Sequence, residues 1–267
     1  MNREPAVAGK FYPDSAEALS EQVRGFSSPE AVRQDAIAAV CPHAGLMYSG
    51  SVAGLVYSHI SIPETFILIG PNHTGLGPKI SVMAEGTWEI PTGRVPIDME
   101  LANAFLKKYP LASTNTEAHM YEHSLEVQLP FIVHNAPKAK IVPITVMGPS
   151  HENILTLGQA IASTIEETDK KVIIIASSDM SHFISDEDAR ARDQLAIAQV
   201  LALNPDALMD TVHKNDISMC GYAPTTIMIH AALALGAKEA ELLMYTTSGE
   251  VSGDFSSVVG YAGIVVR

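Results

Sequence analysis

Three hydrophobic stretches of this 267-residue chain each run out into a histidine. Ala36–Pro42 (AIAAVCP) meets His43. Thr65–Gly70 (TFILIG) passes through Pro71 and Asn72 to His73. Lys171–Asp179 (KVIIIASSD) passes through Met180 and Ser181 to His182. Continuous β-branched runs of this kind read as strands covered on both faces, typical of parallel sheets. In open α/β sheets, ligands bind outside the carboxyl ends of the strands. Imidazoles delivered there by neighbouring strands would converge, with Asp179 and its preceding serines on the same edge. Such a group could ligate a metal or move protons near neutral pH.

Two further segments carry candidate chemistry. The stretch EHSLEVQ puts His123 and Glu126 three residues apart, so both fall on one face if it is helical, and Glu122 and Glu126 are four apart. Cys220, in SMCGYAPTT, stands at the entrance to a helix beginning near Pro224, where a helix N-terminus favours a thiolate. Cys41 lies inside a strand and reads as a small buried hydrophobe. His59, His134, His151 and His213 read as surface or capping residues, and His230 as a packed core histidine. Two histidines and one anionic ligand suit non-haem Fe(II) or a related centre; a thiolate as the anion also suits Cu(I) or Zn.

The elements that must hold these residues are legible as alternating patterns. Further strand signals are Ala139–Gly148, Ala240–Thr247 and Ser257–Val266. Helical patterns cover SAEALSEQVRGF after Asp14 as N-cap, SGSVAGLVYSHI, HSLEVQLPFIVHN, SHENILTLGQAIASTIEET, ARARDQLAIAQVLAL and APTTIMIHAALALG. Gly77–Asp98 has the β-runs and glycines of a hairpin. The alternation predicts one α/β domain over residues 1–267, with a central mostly parallel or mixed sheet flanked by helices.

Composition narrows the function. Seventeen basic against 30 acidic residues give a net charge of −13, which disfavours nucleic acid and anionic membranes as partners. The polar, proline-punctuated start reads as no secretory leader, and no apolar run reaches the roughly 18–20 residues of a membrane span. Two cysteines make no disulfide framework. A cytoplasmic protein is expected.

The chain resembles the Memo family (Memo-like proteins, AmmeMemoRadiSam system protein B). The likeness runs through REPAVAGKFYP at Arg3–Pro13, PHAGLMYSG at Pro42–Gly50, ILIGPNHTG at Ile67–Gly75, EHSLEVQLPF at Glu122–Phe131, SSDMSHF at Ser177–Phe183 and CGYAPT at Cys220–Thr225. The resemblance implies a fold like that of the class III extradiol dioxygenases, which hold Fe(II) with two histidines and a glutamate. It implies metal ligands His43, His73 and Cys220, with His123, Asp179 and His182 as catalytic pocket residues. Thiolate in place of carboxylate separates this pattern from true dioxygenases. The resemblance also implies association with a radical enzyme and a further partner. Three functions compete: an oxidoreductase using Fe(II) or copper on a small molecule, a scaffold that binds a peptide or partner in the same pocket, and a zinc hydrolase.

Overall fold

The computed structural model describes residues 2–267. The β-branched runs form strands because branched side chains pack well on a pleated surface. The strands are β1 (Asn2–Arg3), β2 (Ala38–Cys41), β3 (Thr65–Pro71), β4 (Ile80–Val82), β5 (Thr87–Ile90), β6 (Gly93–Pro96), β7 (Ser113–Thr114), β8 (Lys140–Val146), β9 (Val172–Ser177), β10 (His182–Ile184), β11 (Ala240–Thr247) and β12 (Val258–Val266). At the centre β2, β9, β3 and β8 lie side by side and parallel. Every residue of β2 and β3 is buried, as their unbroken apolar runs predict. Antiparallel β12 and β4 extend the sheet on either side. Both β10 and β11 pair with β12, and β7 pairs in parallel with β4, which makes a nine-stranded mixed sheet. The expected hairpin appears as β5–β6, joined by β1 into a separate three-stranded sheet.

Ten α-helices cover the sheet: α1 (Ala16–Phe26), α2 (Leu46–His59), α3 (Met99–Lys108), α4 (Glu117–Met120), α5 (Leu129–Asn135), α6 (His151–Glu166), α7 (Asp186–Leu201), α8 (Pro205–Lys214), α9 (Tyr222–Ala234) and α10 (Gly249–Ser252). Helix α2 packs on β2, β11 and β12, and α9 packs on β9 and β3 with α6 against it. The α1 N-cap is Ser15, not Asp14: the Ser15 hydroxyl accepts from the Ala18 N–H. Helices α3 and α8 were not foreseen, although Asp98 and Asn204 cap them by the same rule. No helix among the described residues is long and apolar enough to cross a membrane.

The largest departure lies at Glu122–Asn135. Only Leu129–Asn135 is α-helical, preceded by a 3-10 turn at Glu126–Gln128. His123 and Glu126 therefore do not share a helical face. The segment instead crosses the strand ends as a loop. Its Ser124 hydroxyl donates to the Pro71 carbonyl, and the Ser177 hydroxyl donates to the Ser124 carbonyl. Gly70 permits the crossing, since a Cβ there would lie 2.6 Å from the Leu125 side chain.

Candidate metal centre

His43 and His73 follow the carboxyl ends of β2 and β3, two parallel strands separated by β9. The crossing loop adds His123. Donor nitrogens of the three rings all lie within 4.8 Å of one another. The His43 ring meets those of His73 and His123 at centroid distances of 5.4 Å, steeply inclined to both. His73 and His123 stack at 4.7 Å with their planes 22° apart, and Phe11 closes over His123 at 4.7 Å.

Each strand-end histidine is tied back through Nδ1. His73 faces Glu122 Oε1 at 2.9 Å, and the other Glu122 oxygen accepts its backbone N–H. His43 Nδ1 lies 2.9 Å from the Ser177 hydroxyl. Tethering one ring nitrogen fixes the orientation of the other, which is how metal-ligating histidines are usually held. Burial pushes Glu122 up, but the hydrogen bond and charge of His73 and the Ser124 N–H bring its carboxyl down to about 2. Burial drives His43 well below its ordinary range, and the neighbouring histidines His123, His73 and His182 push the same way, so it is neutral. His123 is also lowered, first by burial.

Cys220 reaches this group from the start of α9, with Sγ 3.2 Å from His43 Nε2. Burial, followed by the Asp179 charge, raises the Cys220 thiol well above its ordinary range. The Cys220 and Gly221 N–H groups at the helix entrance act on the thiol in the expected direction, lowering it, but they are outweighed. The helix end does not prevail because desolvation of a buried thiolate outweighs it. The turn that delivers Cys220 requires Gly221, where a Cβ would lie 2.4 Å from the Ser177 carbonyl oxygen and the Ser178 Cβ. Cys41 is buried in β2 as expected.

Asp179 also faces the group. One oxygen accepts the His43 backbone N–H at 2.8 Å and the other lies 4.0 Å from His43 Nε2. Burial raises its carboxyl to about 6. His182 lies farther out. It is the first residue of β10, not a direct extension of β9, and Ser218 binds both its N–H and its Nδ1. A register shift between His182 and Ile184 turns Phe183 out of the ladder at φ 60°.

The donor chemistry fits a transition-metal ion: two tethered imidazoles, a third imidazole, and a thiol against one of them. Glu126 does not belong to this group. Its oxygens accept from Arg3, Tyr12 and the Ala6 and Val7 N–H groups. The sequence reading missed Glu122 as the His73 partner, Ser177 as the His43 partner, and Phe11 as the cover over His123. The quoted motifs contained all three, but no spacing rule links Glu122 to His73. His119, buried edge-on to Trp88, is a neutral core histidine held at about 3, first by burial and then by Arg3.

At the other end of the parallel strands, a cavity of about 420 Å³ is lined by Pro63, Thr65, Pro137 and Lys170. The buried carboxylate there, Asp98, accepts from Thr65, Lys170 and the Leu101 N–H. Among the described residues, that edge has no comparable convergence of histidines.

Fold and site define an α/β protein with a histidine-rich centre at the carboxyl edge of a mixed sheet. The family described as "Memo-like protein" matches residues 3–265. A MEMO1 family protein of Methanosarcina acetivorans is 42% identical over 267 residues, 99% of either chain. One from Aquifex aeolicus is 43% identical over 98% of either chain. The chain belongs to the Memo family. The fold is also similar to an uncharacterized protein, JW3007, of Escherichia coli K12, with TM-score 0.59 and 14% identity over 85% of this chain and 98% of that one.

Proposed function

We propose that this protein is a metal-dependent oxidoreductase whose ion, Fe(II) in preference to copper or zinc, is held by His43, His73 and Cys220. The observation that carries the reading is the convergence of the strand-end imidazoles with each Nδ1 tethered, beside the Cys220 sulfur. An ion bound there would supply one-electron chemistry and an open coordination position. His123 stacks on His73 and meets His43 at 78°, with its donor nitrogen in the same close group; in the proposed centre it takes the part of a neighbouring acid or base, as the family resemblance implies. Cys220 must lose its proton to bind, and the ion's charge offsets the burial that otherwise keeps the thiol protonated.

The remaining residues act on a bound small molecule. His123 exchanges a proton at the mouth of the centre, where its side chain is 22% exposed. Asp179 holds the His43 main chain and, with a carboxyl near 6, can carry or release a proton near neutrality. His182, steadied through Nδ1 by Ser218, presents Nε2 as a second acid or base. A place in the cytoplasm and association with a radical enzyme belong to the same proposal, and rest on the family resemblance.

The test is elemental analysis of protein purified without oxygen or added metal, followed by titration of variants. One equivalent of iron is expected. Cys220→Ser should weaken binding far more than Cys41→Ser, and His182→Ala should spare it. Unchanged affinity in Cys220→Ser would remove the sulfur from the site and return His123 as third ligand. Unchanged affinity in both His43→Ala and His73→Ala would refute the centre altogether. Zinc in place of iron, with no oxygen consumed in the presence of reductant, would favour hydrolysis.

A further inference from the structure

The two ring supports differ in kind. Glu122 is a carboxylate, which in its ionised form only accepts, so His73 must carry its proton on Nδ1. Ser177 is a hydroxyl, which can donate or accept, so its contact with His43 fixes nothing alone. The surrounding network fixes it.

The chain of constraint begins at Pro42. Its carbonyl can only accept, and it lies 2.9 Å from the Gln128 side-chain nitrogen. The Gln128 amide therefore points its NH₂ inward, while its oxygen takes the Tyr57 hydroxyl proton at 3.1 Å. The same NH₂ donates at 2.9 Å to Ser177 Oγ, filling one lone pair. The single Ser177 proton goes to the Ser124 carbonyl at 2.6 Å, again an acceptor only. One lone pair remains on Ser177, and His43 Nδ1 faces it.

We infer that Gln128, acting through Ser177, is a positioning residue that locks His43 as the Nδ1–H tautomer and leaves the Nε2 lone pair facing Cys220. The opposite tautomer fails at Ser177. The Ser177 proton would have to turn to Nδ1, leaving the buried Ser124 carbonyl without its donor. The Cys220 thiol does not decide the matter, because its proton can go to His43 Nε2 or, at 3.7 Å, to the Asp179 carbonyl. Rotating the Gln128 amide offers no escape, because it sets two acceptors against each other at Pro42. Ser177, Ser124 and Gln128 are all fully buried, so water does not compete for these bonds. A neutral relay thus does for His43 what a carboxylate does for His73.

The consequence for metal affinity rests on the proposed centre, but the tautomer does not, and it can be read without any metal. The experiment is long-range ¹⁵N–¹H correlation of the histidine rings in the metal-free, ¹⁵N-labelled full-length protein. His43 is expected as a pure Nδ1–H ring. An Nε2–H ring in the wild-type protein would overturn the inference, whether or not iron binds. Gln128→Met and Ser177→Ala, each checked for native secondary structure, should both lose that purity. They should also weaken Fe(II) binding by roughly 10- to 100-fold, the range seen when an outer partner of a ligating histidine is removed. A pure Nδ1–H ring retained in either variant would refute the role assigned to the residue replaced. Confirmation of the tautomer in a protein that binds no iron would instead count against the centre alone.

Discussion

Glu122 and Glu126 belong to one loop, lie four residues apart and are both fully buried, yet they serve opposite ends. Around Glu126 the polar valences are filled from inside the fold. The Arg3 guanidinium donates to it at 2.6 Å, to the Glu122 carbonyl at 2.8 Å and to the His119 carbonyl, while stacking 4.1 Å above the Trp88 ring. This cluster fastens the first dozen residues to the loop, and those residues carry Phe11 onto His123. Around Glu122 the pattern is one-sided: it holds His73 through the backbone N–H and Nδ1, and the ring keeps Nε2 for the centre. A saturated polar cluster stabilises; a half-satisfied one is poised to bind. The difference is not burial, which is complete in both, but which valences remain.

The sharpest way to break this contrast is Arg3→Met. It leaves Glu126 charged, buried and without its cation, and should destabilise the fold by about 3–5 kcal/mol in urea unfolding. A loss well under 1 kcal/mol would mean that the cluster is not structural. Glu122→Gln should do the reverse. Folding should survive, while metal affinity drops about 10- to 100-fold because the His73 ring loses its charged tether. Equal effects of the two substitutions on stability would erase the distinction.

A pH series sharpens it further. The Glu122 carboxyl sits at about 2 in the fold against an ordinary 4.5, so its contribution is present above 4.5 and disappears as pH falls toward 2. Thermal unfolding between those limits should show a steeper acid loss in the wild type than in Glu122→Gln. The smallest effect is expected at Phe183, whose ring is 76% exposed and whose backbone holds φ 60° without glycine. Phe183→Gly should stabilise by up to about 1 kcal/mol, because it relieves a left-handed conformation that little packing repays. A clear loss of stability there would show that the exposed ring contributes packing after all.

The parallel core was written in the sequence, because short β-branched runs closed by Gly or Pro, such as TFILIG, favour a strand buried on both faces. The positions of His43 and His73 followed from it: a residue just past such a strand lies at the carboxyl edge whatever the loops do. Cys220 beside them came only through resemblance, since no periodicity brings residue 220 to residue 43. The loop Glu122–Gln128 was misread as helix because its apolar spacing fits one. Its true path is set by three bonds to distant strands, at Pro71, Ser177 and Pro42. Sequence by itself therefore determined the central parallel strands and which edge carries the histidines, since local propensity and hydrophobic pattern suffice for both. Which carboxylate serves the site, why the Cys220 thiol keeps its proton, and which nitrogen of His43 faces the sulfur depend on partners from 41 to 177 residues away, and only packing could bring them together.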